Sequence, residues 1–151
     1  MAIYGLQTDF MNQLLRAYFG FEVPDGVQRE IYVGLGLTQQ GAAINTENFD
    51  EVFAGRPLGN YKRARAVFNR AINNIIVNEN EIVFNTAEED WTDQNHKVEM
   101  LGLFDTLDYE NELHELVKPL VVLRLPRYET VLKGETLLLA PGAIELSLTD
   151  L

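Results

Sequence analysis

The sequence predicts a mainly β protein: an antiparallel β-sandwich, or a partly open barrel, with one N-terminal α-helix. Three observations carry this. Short apolar runs recur along the second half, separated by polar segments that contain Asn or Asp. In "EIYVGLGLT" (residues 30–38) apolar Ile31, Val33, Leu35 and Leu37 alternate with Tyr32, Gly34, Gly36 and Thr38, the period of a half-buried strand. Near the end, Lys133-Gly134 and Pro141-Gly142 are turn signals between apolar runs. A length of 151 residues with 46% hydrophobic content suits one folded domain. We read that single domain as 1–151, with a helical segment over 1–20 and the β-sandwich over 28–151.

Taken in order, "LQTDFMNQLLRAYFG" reads as the helix. Thr8 or Asp9 can cap it through a side-chain oxygen that accepts a free backbone N–H. Phe10, Met11, Leu14, Leu15, Tyr18 and Phe19 recur at three-to-four spacing and form a wide apolar stripe. The stripe can cover the domain's own sheet or dock on a neighbour. "VPDG" turns the chain. The glycines of the first long strand suit a bulge or a close backbone approach. Residues 39–60 read as a long polar excursion. "YKRARAVFN" reads as a strand, and "RAINN" after it is ambiguous between helix and strand. "IIV", "EIVFN", "KVEMLGLFD" and "LVVLRL" are further strands. "YETVLKGETLLLA" reads as a tight hairpin closed by Lys133-Gly134. After Pro141-Gly142, Ile144, Leu146 and Leu148 share one strand face, and Glu145, Ser147 and Thr149 the other.

Composition narrows the function classes. There is no cysteine, so disulfides and thiolate metal sites are excluded. The opening residues show no basic n-region and no long apolar core, so no signal peptide is expected. No apolar run approaches the ~20 residues needed to span a bilayer, so no membrane contact is expected. The net charge is −11, and residues 86–115 hold ten Asp/Glu against one Lys, a local net of −9. That balance repels nucleic acid, because phosphate contacts require cations.

Candidate chemistry is sparse. Glu88, Glu89, Asp90 and Asp93 beside His96 could serve as acid, base and proton shuttle, but contiguous polar segments usually lie on the surface, where pKa values stay ordinary. "DTLDYENE" (105–112) offers carboxylates without the spacing of a calcium loop. His96 and His114 match no zinc motif. Ser147 is the lone serine and lacks a nucleophile turn. We therefore expect no catalytic residues, no metal and no cofactor. Arg63 and Arg65, with Tyr61 on the same strand face, read as an ion-pair contact to an acidic neighbour, within the chain or across a subunit contact. Phe49 and Tyr109 read as exposed loop aromatics, the kind a carbohydrate- or receptor-binding module would use.

The order of motifs resembles a family of small bacteriophage virion proteins, tail fibre or minor structural proteins. "FMNQLLRAYFG" is similar to the family's opening helix, and "IYVGLGLT" to the strand after it. "GNYKRARAVF" places Tyr61 and Arg63 in a shared pattern. Asn80, Ile82, Phe84, Ala87, Asp90 and Trp91 match an asparagine followed by an Ile/Phe/Asp-Trp segment. "KVEMLGLFD" and "VLKGETLLLAPGAIELSL" resemble the closing strands. Residues 39–56 and 106–118 fit no part of the pattern. The resemblance implies a compact β-domain without catalysis. It implies a chain made in the host cytoplasm and carried in the virion, touching other virion proteins in symmetric copies. A capsid decoration protein and a glycan-binding fibre module are the alternatives. It also suggests that Trp91 anchors its segment on the domain, with the indole N–H near polar partners and Asp90 accepting a backbone N–H.

Overall fold

A computed structural model of the chain describes residues 3–6, 30–38, 45–52, 61–68, 75–85 and 89–147. The described part is mainly β, with antiparallel sheets, and is not a closed barrel. Its strands are β1 (Ile3–Leu6), β2 (Glu30–Leu37), β3 (Ala64–Val67), β4 (Ile75–Val77), β5 (Ile82–Asn85), β6 (Val98–Phe104), β7 (Val121–Glu129), β8 (Thr136–Leu139) and β9 (Glu145–Ser147). Five of them form a sheet in the order β1-β7-β6-β2-β3, while β4 pairs with β9 and β5 with β8.

The alternation in β2 does what its period predicts. Ile31, Val33, Leu35 and Leu37 are buried, and their partners Leu101, Leu103, Leu123 and Val121 on β6 and β7 lie on the same face. Ile76, Ile82, Phe84 and Leu146 from the two short ladders, with Ile144 just before β9, join the same hydrophobic cluster. The main sheet is also covered on its other face, by a second cluster of Phe49, Met100, Phe104 and Val122. Every residue of β6 is buried for that reason. The glycines make the second face shallow enough for a ring to lie on it. A Cβ at Gly36 would come within 2.5 Å of Phe49, and one at Gly102 within 2.8 Å of Phe49 and Phe104. The ladder also shifts register between Gly36 and Leu37. Phe49, expected to be exposed, is thus a buried core residue at 8% exposure.

Two further expectations are corrected. The helical segment was bounded at 1–20, but Ile3–Leu6 pairs antiparallel with β7 as an edge strand. The β7 backbone offers a row of unsatisfied groups there, and "IYGL" supplies β-branched and aromatic residues that fit it. The apolar stripe of Phe10, Met11, Leu14, Leu15, Tyr18 and Phe19 lies outside the described residues, as do "RAINN" and Leu148. The Lys133-Gly134 turn is present, with the Glu135 N–H donating to the Leu132 carbonyl at 2.9 Å. It does not close a hairpin: β7 pairs with β6 and β1, and β8 with β5. The positive φ falls on Gly134 (83°), the third turn position, and not on Lys133. That is type II geometry, whose twist splays the flanking strands where hairpin turns would align them. Pro141-Gly142 makes the same kind of turn, with Gly142 at φ 82° and the Ala143 N–H donating to the Ala140 carbonyl at 3.0 Å.

Two asparagines join the ladders to the main sheet. The Asn80 side chain imitates a strand at the free side of β3. Its Oδ1 accepts the Val67 N–H at 2.8 Å and its Nδ2 donates to the Arg65 carbonyl at 2.9 Å. Asn78 is 1% exposed. Its Nδ2 donates to the carbonyls of Asn80 (2.8 Å) and Ala140 (3.1 Å), and its Oδ1 accepts the Ile144 N–H at 2.8 Å. Asn78→Ala strips the buried Ile144 N–H of its acceptor and takes a donor from two part-buried carbonyls, those of Asn80 and Ala140. We expect it to lower unfolding free energy by about 2–3 kcal/mol in urea melts, the range for unsatisfied buried groups. A loss below ~0.5 kcal/mol would show that these groups find other partners.

Candidate functional site

The most built-up polar feature is a buried ion pair at the edge of the second face. The outer side of β2 changes partner along its length. Residues 30–33 pair with β3. Beyond them the segment 50–52 takes over: the Leu37 N–H donates to the Asp50 carbonyl and the Val52 N–H to the Leu35 carbonyl. Glu51 bridges to Gly36 within this segment. Its side chain lies back along the strand over Gly34, where a Cβ would come within 2.5 Å of Oε2. At the gap between the two partners, the Leu35 N–H donates to the Tyr61 hydroxyl at 2.9 Å, and that hydroxyl donates to Glu51 Oε2 at 2.7 Å.

Arg63 meets the same carboxylate from the lead-in to β3. Its Nε donates to Glu51 Oε2 at 3.0 Å and its Nη2 to Oε1 at 2.8 Å, a bidentate pair. Its Nη1 donates to the carbonyls of Thr106 (3.0 Å) and Asp108 (2.8 Å). The guanidinium carbon sits 3.5 Å from the Phe104 ring centre and 4.9 Å from that of Tyr109. Arg63 is 4% and Glu51 7% exposed. Burial, and then the Glu51 charge, push the Tyr61 hydroxyl well above its ordinary range, and the same two causes raise Tyr109. Tyr61 is therefore held as a neutral donor. The network neutralises its own charges and spends its donors on fixed acceptors. It ties β2, the 50–52 segment, the lead-in to β3 and the 105–109 loop together.

Arg65 is exposed on β3, opposite Tyr32 in register. Together with Lys62, Arg63, Leu107 and Tyr109, these residues line an open cleft of about 560 Å³. The acidic loop 105–112 gives two of its carbonyls, those of Thr106 and Asp108, to Arg63. Among the described residues, no group of three or more His, Asp or Glu is placed to hold a metal ion.

The acidic segment around Trp91 is laid along residues 131–133. The Trp91 N–H donates to the Val131 carbonyl at 2.9 Å. The Val131 N–H donates to Thr92 Oγ1, and the Lys133 N–H to Asp90 Oδ1, each at 2.8 Å. Trp91 is 1% exposed and meets Tyr61 edge-to-face at 5.2 Å. Its indole N–H was expected near a polar partner; among the described residues Nε1 has none. Packing fixes the ring orientation here, and the backbone N–H, not the indole, makes the polar contact.

Asp93 and His96 sit in an exposed turn. Asp93 Oδ1 accepts the N–H groups of Asn95 and His96, each at 2.7 Å, and faces His96 Nδ1 at 3.0 Å. The Asn95 N–H first, and then the His96 ring, hold the Asp93 carboxyl below its ordinary value of 3.8. A carboxyl depressed in the folded state contributes stability above its unfolded pKa and loses it as pH falls through the folded one. Carboxyl-detected NMR should find the Asp93 midpoint below 3.8. His96→Ala should raise that midpoint without restoring it fully, since the Asn95 N–H remains.

Glu51 was missed in the sequence because it lies in "FDEVF", within what reads as a polar excursion. Its signal was local: Glu51 stands two residues after Phe49, the spacing that puts both on one face of a strand. Fold and site together define an antiparallel β-domain organised around a buried Glu–Arg–Tyr network. A scan against protein-family models, a search of curated proteins and a search of solved structures each returned no match to this chain.

Proposed function

We propose that the chain is a structural component of a bacteriophage virion, in a tail fibre, baseplate or tail-associated position. In this reading it acts through protein–protein contacts and not as an enzyme, and its strands form a β-sandwich. One observation supports it most. The residues that carry the resemblance are committed to the frame: Tyr61 and Arg63 to the buried network, Phe84 and Trp91 to the core, Asn80 to the β3 edge. A pattern made of frame residues suits a protein whose product is a shape. Partners are then other virion proteins, met in symmetric copies, without direct contact to nucleic acid or membrane. The Phe10–Phe19 stripe is the proposed docking element.

Particles purified from the phage encoding the chain provide the test. The chain should remain at fixed stoichiometry after a high-salt wash and be visible in a particle reconstruction. Its presence in the lysate but not in washed particles would refute the assignment. Leu14→Glu with Leu15→Glu should block incorporation while leaving the melting temperature of the purified chain unchanged. A collapse of that temperature would place the stripe in the domain's own core.

A further inference from the structure

The β5–β8 ladder leaves the core open along β8. On β5, Ile82 is 0% and Phe84 1% exposed. Leu139 and Leu137 stand opposite them in register and pack against the same core, yet both stay only partly buried. The β8 backbone is open at the same place. In an antiparallel ladder alternate residues turn their N–H and C=O toward the partner strand, and the ones between turn them away. Half of the residues Thr136–Leu139 therefore point both groups away from β5, and among the described residues nothing receives them. Such an edge invites pairing unless charge, proline or a bulge blocks it. Asn80 blocks the β3 edge, and β7 past its pairing with β1 carries Pro126 and Arg127. β8 has an unbroken register and neither charge nor proline. On the outward face, Val83 and Leu138 are directly opposed and are 37% and 49% exposed.

We propose that β8 is the interface between two copies of this chain, which pair antiparallel through it about a two-fold axis to make one sheet, β5-β8-β8-β5. Charge favours a second copy here. Chains of net charge −11 repel one another, so they meet best where neither is charged. Residues 136–144 are such a run, between Glu135 and Glu145. The Glu135 carboxylate is turned back on its own turn, where Oε1 accepts the Leu132 N–H at 2.8 Å. The apolar pattern favours the same occupant. With the axis at Leu138, Leu137 of each copy lies opposite Leu139 of the other, and Thr136 opposite Ala140. Each inward leucine gains an inward leucine beside it, which closes the opening in both cores at once. On the outward face, Val83 and Leu138 of both copies form one row of four apolar side chains. A foreign strand would have to bring this alternation, whereas a second copy already has it, and the contact is isologous. The inference rests on this edge alone and stands whether or not the chain belongs to a virion.

The test is sedimentation equilibrium of the purified full chain across a dilution series, with amide hydrogen exchange on the same samples. We expect a monomer–dimer equilibrium, and slower exchange of the β8 amides as concentration rises. Leu138→Lys places two like charges at the axis and should weaken the dimer at least about tenfold. The dilute variant should melt as wild type does, because Leu138 is half exposed. Thr136→Lys, also at an exposed position, should weaken the dimer in the same direction, and serves if Leu138→Lys folds poorly. The chain has no cysteine, so Leu138→Cys can link only to its own copy. Under mild oxidation it should form a disulfide dimer faster than Leu113→Cys, which alters a more exposed position. A monomer at every concentration would overturn the proposal, and so would a dimer that neither lysine variant weakens. Equal cross-linking at the two cysteine positions would count against it in the same way. Protection of the β8 amides that is the same at every dilution would overturn it too, and would assign the edge to another part of the same chain.

Discussion

Arg63→Met should lower the stability of the domain by about 3–5 kcal/mol, the loss typical when one member of a buried ion pair is removed. The substitution keeps much of the side-chain volume, so the effect is mostly electrostatic. It leaves the Glu51 carboxylate 7% exposed with the Tyr61 hydroxyl, at 2.7 Å, as its remaining donor among the described side chains. It also strips the Thr106 and Asp108 carbonyls of the donors that hold the 105–109 loop. Arg63→Lys should fall only part-way back toward wild type. A single ammonium cannot reach both carboxylate oxygens and two carbonyls as the planar fork does. Glu51→Leu combined with Arg63→Met should recover much of the loss, because both desolvated charges then disappear together. Urea melts of the two singles and the double close the cycle. A single Arg63→Met variant within ~1 kcal/mol of wild type would mean that water reaches Glu51, and that the pair is a surface bridge.

That pair also shows where sequence reading stops. β2 was legible because alternation is a local property: apolar side chains two residues apart lie on one face wherever the strand ends up, and β6 was legible only as a short run between polar segments, since it is buried on both faces. The two turns were legible as local features too, since Gly134 and Gly142 supply the positive φ each turn requires. What the turns connect was not legible. Whether β7 and β8 pair depends on the dihedral order inside the turn and on what β5 and β6 offer as alternatives, and neither is written in "YETVLKGETLLLA". Arg63 was read as facing an acidic neighbour, but the neighbour could not be named. Glu51 lies twelve residues upstream, across the segment that precedes β3, and a charge in a polar-looking stretch carries no mark of burial. The glycines of β2 held a partial clue. They suggested a close approach, and the visitors are Phe49 on Gly36 and the Glu51 carboxylate on Gly34. The cleft was the least legible feature, because Tyr32, Arg65 and Tyr109 come together only once the register of β2 with β3 and the path of the 105–109 loop are set.

Trp91→Ala is expected to destabilise the domain by about 3–5 kcal/mol, the range for deleting a large aromatic side chain from a core. The ring is 1% exposed and packs edge-to-face on Tyr61 at 5.2 Å, so its loss leaves a cavity beside the residue that fills the gap in the β2 ladder. Tyr61 would then lose the wall that orients its hydroxyl toward Leu35 and Glu51. The damage should therefore spread to the ion-pair network, and combining Trp91→Ala with Arg63→Met should give less than the sum of the two losses. Trp91→Phe separates packing from polarity. It removes an indole N–H that has no acceptor among the described residues, which offsets part of the lost volume, so its loss should stay below ~2 kcal/mol. The backbone bond from Trp91 to the Val131 carbonyl, 2.9 Å, is untouched by either change. Trp91 is also the one tryptophan of the chain, so wild-type unfolding reads directly in its fluorescence, with a red shift as the ring reaches water. Circular dichroism melts compare all three proteins on one scale. An alanine variant that melts with wild type would show that residues 90–92 are held by their backbone bonds to 131–133, with the ring contributing nothing beyond them.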